Sequence, residues 1–233
     1  MKSDINSKIT IIIPAKNEEH TIGKVLDKIL LSFGADNVVV IVDEAADRTV
    51  EIAKQKNVKA MVSGRKGKGS AIKFAIDKII CDILVFIDAD GSHEPEDIPK
   101  LIQPILDDEA DLVIASRMEG GSEELSGSLN NTLRCVGNIV SSGIINFIWG
   151  KGDRIIADCQ NGFRAIKKGV ANQIKLKEDS FAIEQEMVIK CIKMGFRIRE
   201  VPSYELKRQY GNSRVSCTRM LPIYMWCLIK NIG

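Results

Sequence analysis

Residues 83–98 read ILVFIDADGSHEPEDI. The opening run, Ile83 to Ile87, is apolar throughout, as in a strand covered on both faces. It ends in two aspartates one residue apart, Asp88 and Asp90, and turns at Gly91 into a polar stretch. Burying a strand requires neither carboxylate, so the pair calls for a chemical reason. Two carboxylates at i and i+2, brought round by a turn, converge on a hard divalent cation. Mg2+ takes one or two such ligands and fills its shell with substrate phosphate oxygens. A plain surface turn is the alternative reading of Asp-x-Asp taken alone.

Working outward, the same strand pattern recurs at KITIIIPA (8–15), NVVVIVD (37–43), VKAMVS (58–63) and ADLVIASR (110–117). Between these runs the apolar residues adopt helical spacing, as at Ile22, Val25, Leu26 and Ile29, or Ile72, Ala75, Ile76 and Ile79. PEDIPKLIQPIL (95–106) is a helix with Pro95 near its start, where proline is favoured. Alternation of this kind predicts an α/β fold with a Rossmann-like, doubly wound, mostly parallel sheet and helices on both faces. Ligands bind such sheets outside the carboxyl ends of the strands. Pro14 to Glu18, Asp43, Gly64 to Gly69, Asp88 to Ser92 and Arg117 all fall there.

The second half is less regular. A Gly/Ser/Asn-rich loop spans Glu119 to Thr132, and a helical stretch runs on to Trp149. ADCQNGFRAIKK (157–168) reads as a turn into a strand, SFAIEQEMVIKCIKMG (180–195) as a helix and FRIREVPSYEL (196–206) as a strand. No internal repeat or domain boundary interrupts the 233 residues, so a single domain over 1–233 is expected.

Composition narrows the function classes. Hydrophobic content is 45% and charged content 27%, which argues against disorder, and a net charge of +2 does not suggest a nucleic-acid partner. Acidic residues concentrate between Cys81 and Leu125 and basic ones between Met187 and Gly233. Solvated helix faces account for most of these charges; ends that attract opposite ions are the sharper reading. The six cysteines form no C-x-x-C pair and no leader precedes them, so reduced thiols in a cytoplasmic protein are expected. With only His20 and His93, a histidine-rich metal site is excluded. No apolar run reaches the length of a membrane span; Val136 to Trp149 has the length of a buried or interfacial helix.

Gly67-Lys68-Gly69 opens a helix, either as an anion site built from glycine backbone, helix N-terminus and lysine, or as a flexible helix start. Neither the P-loop nor the dinucleotide fingerprint is present. Arg117, Arg134, Arg164, Arg208 and Arg214 can each pair with a phosphate, or can be ordinary surface arginines.

The order of these motifs resembles glycosyltransferase family 2, of GT-A fold, and within it the dolichyl-phosphate mannose synthase group. The similarity runs from about Ile9 to Arg214. It is carried by IIIPAKNEEHTI, GKGSAI, FIDADGSHEPEDI, LVIASR, DCQNGFRAIKK and REVPSYELKRQYGNSRV. FIDADGSHEPEDI is the most specific of them. The resemblance implies that Pro14, Asn17 and Glu18 line a nucleotide pocket with Asp43 near the base or ribose. It implies that Asp88 and Asp90, with Ser92 beside them, handle Mg2+ or Mn2+ and the diphosphate. It assigns phosphate contacts to Arg117, Arg208, Ser213 and Arg214, alongside the anion reading of Lys68. A hydroxyl acceptor would need a carboxylate base. Asp158, just before the Gly-Phe-Arg segment, is the first choice for it ahead of Glu184 and Glu186, with helix or turn surface as the alternative reading of each. A polyprenyl phosphate would need none.

The implied reaction moves a hexose from GDP-mannose or a UDP-sugar to a polyprenyl (dolichyl) phosphate with inversion. Residues 1–118 would form the nucleotide-sugar half and 119–233 the acceptor half. The protein would be cytoplasmic, with peripheral contact at the cytoplasmic membrane face. A soluble or polysaccharide acceptor, and a non-catalytic nucleotide-sugar-binding subunit, are the competing readings. A nucleotidyltransferase would carry a Gly-rich loop where PAKNEEH stands. VDEAADRT (42–49) departs from the family's Asp-Asp-Gly-Ser-x-Asp-x-Thr by lacking the Gly-Ser, so this segment does not identify the nucleotide.

Overall fold

The computed structural model describes residues 8–123, 125, 129–150, 155–211 and 217–232. Among them the strands are β1 (Ile9–Ala15), β2 (Val38–Val42), β3 (Lys59–Val62), β4 (Ile83–Phe86), β5 (Leu112–Ser116), β6 (Arg164–Lys167) and β7 (Ile198–Pro202). The first helices are α1 (Ile22–Leu30), α2 (Thr49–Gln55), α3 (Lys68–Lys78) and α4 (Ile98–Leu106). A single turn, α5 (Arg117–Gly120), follows β5, and the long α6 (Leu129–Trp149) follows it. The remainder are α7 (Lys168–Gln173), α8 (Ile183–Lys193) and α9 (Cys217–Lys230). The expected strands are found to within two residues or so at each end, except that the one expected over 196–206 stops at Pro202. The expected helix at 95–106 begins as a 3-10 turn, Pro95–Asp97, before α4 takes over. The Glu119 to Thr132 loop is shorter than its composition suggests, because α5 and the start of α6 absorb both ends.

Period-two alternation in the strands sorts their side chains onto two faces. Ile9, Ile11 and Ile13 of β1 join Val38 and Val40 of β2 and Val85 of β4 in a core roofed by α1 and α4. Ile12, Val39, Ile41, Leu84 and Phe86 belong to the opposite core, covered by α3, α7, α8 and α9. Each such side chain, once fully buried, contributes about 1.5–3 kcal/mol, and a one-residue slip would exchange the two sets. The helices on both faces and the mainly parallel sheet are as expected.

The strand order is β3-β2-β1-β4-β6-β5-β7. All neighbours are parallel except β6, which runs antiparallel to both β4 and β5. Arg164, the first residue of β6, pairs with Phe86 at the end of β4 and with Ile114 near the end of β5. The reversal brings the loop entering β6 to the same edge as the loops leaving β1, β2, β4 and β5. No helix among the described residues is long and apolar enough to cross a membrane.

Candidate active site

The loops at that edge enclose a cleft of about 480 Å³. Pro14 lines it from the end of β1, Asn17 and Glu18 from the loop that follows, Asp43 after β2 and Lys68 at the start of α3. Asp88, Asp90 and Ser92 follow β4, Arg117 follows β5, and Arg208 closes the cleft from the far end of the chain. Arg134 and Glu184 also face it. Ser213 and Arg214 lie outside the described residues.

Lys68 is the buried centre of one charge cluster. Its Nζ is 2.6 Å from Asp88 Oδ1 and 2.8 Å from Glu184 Oε1. Burial alone would lower the lysine pKa, but the two carboxylates outweigh it and raise the pKa. Burial likewise opposes the charge of Asp88, yet Lys68, with help from His93, holds that carboxyl far below its ordinary range. His93 Nε2 lies 3.6 Å from Asp88 Oδ2. The second oxygen of Glu184, Oε2, is buried without a hydrogen-bond partner. The glycines beside Lys68 have a packing reason. A Cβ on Gly67 would stand 2.2 Å from the Asp179 carbonyl oxygen, and one on Gly69 2.4 Å from that of Glu178. The close approach foreseen at this segment is therefore made by the chain's own backbone.

Asp90 has different company. Its Oδ1 accepts from the Ser92 amide at 3.1 Å and the Ser92 hydroxyl at 2.7 Å. Arg208 reaches over it, Nη1 to Asp90 Oδ2 at 3.1 Å and Nη2 to Glu18 Oε1 at 2.5 Å. The strip carrying Arg208 is tied along the Asp-x-Asp loop by Leu206 N–H to Ser92 O (2.8 Å) and Gln209 N–H to Asp90 O (3.2 Å). Asp43 accepts from the Gly67 amide at 3.1 Å and sits 3.4 Å from Lys16 Nζ. In the atypical VDEAADRT segment, Asp47 accepts from the amides of Glu19 (3.1 Å) and Thr49 (3.0 Å). It thereby fastens the loop after β2 to the nucleotide-loop candidates.

Arg117 forms the second cluster. Its Nε and Nη2 donate to the two oxygens of Asp158 at 2.7 and 2.8 Å, and its backbone N–H adds a third bond at 3.0 Å. Asp158 is 0% exposed and does not line the cleft. Burial pushes its pKa up, but Arg117 prevails and keeps it low. The expectation that Asp158 is a base is therefore corrected: a sealed carboxylate gripped by arginine has no route to an acceptor proton. Arg164 is not a phosphate ligand either. It is fully buried and donates to the carbonyls of Asn161 (2.9 Å) and Glu184 (2.8 Å), locking the loop before β6 onto α8. Two participants were not foreseen. Glu205 lines the cleft, binding the Ser122 hydroxyl at 2.5 Å with Arg117 Nη1 at 3.5 Å. Gly162 packs so closely that a Cβ would lie 2.4 Å from Lys68 Nζ and 2.8 Å from Asp88 Oδ2.

No three His, Cys, Asp or Glu side chains among the described residues are grouped to hold a metal by themselves. Asp88 and Asp90 still offer hard oxygen donors on a cleft with room for phosphate. That set suits an ion such as Mg2+, which keeps most of its shell for water and substrate oxygens.

The sequence matches the glycosyl transferase family 2 profile over residues 10–174. The chain belongs to this family. Within family 2 it is 30% identical over 229 residues to the UDP-N-acetylglucosamine–dolichyl-phosphate N-acetylglucosaminyltransferase of Methanococcus voltae, covering 88% of each protein. It is 31% identical over 190 residues to the dolichol-phosphate mannosyltransferase of Pyrococcus furiosus, 78% of this chain and 53% of that protein. In three dimensions it is similar to glucosyl-3-phosphoglycerate synthase from Mycobacterium tuberculosis, crystallised with Mn2+, UDP and glucosyl-3-phosphoglycerate. The TM-score is 0.77 at 20% identity, covering 99% of this chain and 82% of that one. The family 2 chain thus has the GT-A fold, and the protein is a glycosyltransferase.

Proposed function

We propose that the protein is an inverting enzyme that moves a hexose from a nucleotide-diphosphate sugar, GDP-mannose or a UDP-sugar, to a polyprenyl phosphate. The observation that carries this reading is one cleft in which Asp88 and Asp90 meet Lys68, Arg117 and Arg208, beside two helices with apolar outer faces. On α6, Leu133, Val136, Val140 and Phe147 are exposed at helical spacing; on α9, Leu221, Met225 and Trp226 are exposed. Leu133 and Leu221 also border the cleft. An apolar face of this kind rests on a bilayer surface and delivers a lipid headgroup to the opening. The Methanococcus voltae and Pyrococcus furiosus relatives, named for dolichyl-phosphate acceptors, support the same class.

In this reading residues 1–118 take the donor, with Pro14, Asn17, Glu18 and Asp43 around the nucleoside, and residues 119–233 take the acceptor together with Arg117 at the boundary between the two halves. Asp88 and Asp90, with Ser92 bracing Asp90, would hold Mg2+ or Mn2+, which when bound neutralises the departing diphosphate. Lys68 keeps Asp88 ionised. Arg208 exchanges Asp90 for phosphate oxygens, and phosphate contact is the role the family resemblance gives Ser213 and Arg214. Arg117 receives the acceptor phosphate, which attacks the sugar C1 from the face opposite the leaving group. A phosphate monoester with a second pKa near ~6 is already ionised, so the acceptor needs no protein base. The sealed position of Asp158 fits that chemistry.

A second reading, transfer to a soluble hydroxyl acceptor, draws on Glu184, whose buried and unpartnered Oε2 would serve as the base. The two separate in one assay: radiolabelled donor, Mn2+, and vesicles containing a polyprenyl phosphate. Label that partitions into organic solvent supports the lipid acceptor. Turnover of donor with all label remaining in water would overturn it, and no turnover with any acceptor would favour a binding subunit.

A further inference from the structure

None of the residues Glu200-Val201-Pro202, a motif of the family resemblance, lines the cleft. Glu200 lies on β7 and its carboxylate clamps two consecutive amides. Ala157 N–H donates to Oε2 and Asp158 N–H to Oε1, both at 2.7 Å. Residues 155–163 belong to no strand or helix, so these partly buried amides have no ladder partners and take acceptors from elsewhere. The other side of the segment is pinned by α6. Asn138 donates to the Ala157 carbonyl at 3.1 Å, and Asn146 exchanges bonds of 2.9 and 3.0 Å with Ile156. Held between β7 and α6, the segment presents Asp158 to Arg117 for the three bonds described above. Nη1 of Arg117 is the guanidinium nitrogen left on the cleft side, 3.5 Å from Glu205.

We infer that Glu200 is a positioning residue for sugar transfer: by clamping the amides of Ala157 and Asp158 it fixes the carboxylate that aims Arg117 into the cleft. Each carboxylate oxygen takes one of the two neighbouring N–H donors, and a side-chain amide in the same place would turn an N–H toward one of them. Burial pushes the Glu200 pKa upward against the pull of the two amides, so a charge is maintained at a site where it is costly. The positional demand is strict, because a shift of about 1 Å in a substrate-holding group costs on the order of 100-fold in rate.

The test is Glu200→Gln in the full chain, which sets an amide N–H against a backbone N–H. One arm reads Arg117 itself, through exchange of its Nε–H in a 15N spectrum, assigned by loss of the signal in Arg117→Lys. Exchange is expected to accelerate about tenfold or more as the Asp158 grip loosens. The second arm is kinetic, with farnesyl phosphate as acceptor, and rests on the polyprenyl-phosphate reading. Acceptor KM should rise roughly 5–20-fold with donor KM within about twofold, and Glu200→Gln should add less than about twofold in an Arg117→Lys background, as coupled residues do. An unchanged Nε–H in folded Glu200→Gln overturns the inference. Equal effects on both substrates in both backgrounds overturn it as well, since that is what a merely structural role gives. If the unmodified enzyme does not use farnesyl phosphate, the acceptor reading falls and the exchange arm still decides the role of Glu200. Should Glu200→Gln not fold, Glu200→Asp, with both oxygens on a shorter stem, is read in the same way.

Discussion

The two buried cations of the cleft are built alike and placed differently. Lys68 stands between Asp88 and Glu184, and both partners face the cleft. Arg117 stands between Asp158 and Glu205, but Asp158 is sealed beneath it. An ammonium is a compact charge with rotating donors and changes partners easily, whereas a guanidinium in a bidentate fork is fixed in plane and direction. If a ligand engages Asp88, Glu184 still neutralises Lys68. If a ligand engages Arg117, its fork with Asp158 stays in place. The proposed donor side is thus arranged to re-pair, and the proposed acceptor side to hold still.

The largest effect that would sharpen this contrast is on stability. Asp158→Ala strands a buried guanidinium with only the distant Glu205 and is expected to cost about 3–5 kcal/mol, read by urea denaturation. Lys68→Met leaves two carboxylates beside an open cleft, where water and protonation relieve them, and should cost less, about 1–3 kcal/mol. Equal losses would erase the distinction. Next comes Asp90→Ala, which touches neither fork. Turnover should fall about 10³-fold, or about 4 kcal/mol of barrier, with denaturation midpoints little changed. Turnover that survives this substitution would remove Asp90 from the chemistry.

Gly162→Ala probes the lysine cluster alone. The added Cβ forces Lys68 Nζ and Asp88 to give way, so donor kcat/KM should drop by roughly tenfold while acceptor KM holds. Loss confined to the acceptor would reverse the assignment of sides. The smallest effect is in pH. Asp158 has a depressed pKa, so its contribution is present above the unfolded value of about 4 and is lost as pH falls through its lower folded value. Melting scans of the unmodified protein should therefore lose stability below about pH 4 more steeply than those of Asp158→Asn. Parallel curves would show that Asp158 carries no such linkage.

What the sequence discloses of this arrangement follows strand ends. Runs such as ILVFI and VVVIV announce their strands because both faces are buried, and a polar residue ending a run, as Asp88 or Arg117 does, is placed at the sheet edge by that fact alone. Asp158, Glu205 and Gly162 are different. Their positions depend on β6 entering the sheet backwards, and the four residues RAIK carry no sign of direction. Arg164 reads in sequence like any other arginine, although it is a buried brace. The glycines flanking Lys68 looked like a phosphate cradle because their true neighbour, the Glu178-Asp179 backbone, lies more than a hundred residues away.

β6 has one more consequence, for assembly. Among the described residues β5 pairs with β6 and β7, both made later than β5, and β4 reaches β5 only through β6. A chain emerging from its N-terminus therefore carries LVIAS as an apolar segment with no hydrogen-bonding neighbour, the kind of segment that invites intermolecular pairing. The arrival of RAIK between β4 and β5 pairs one edge of LVIAS, leaving the other for β7, and brings Gly162 against Lys68. The cleft itself closes later still, because Glu184, Glu205 and Arg208, which also line it, follow β6 in the chain.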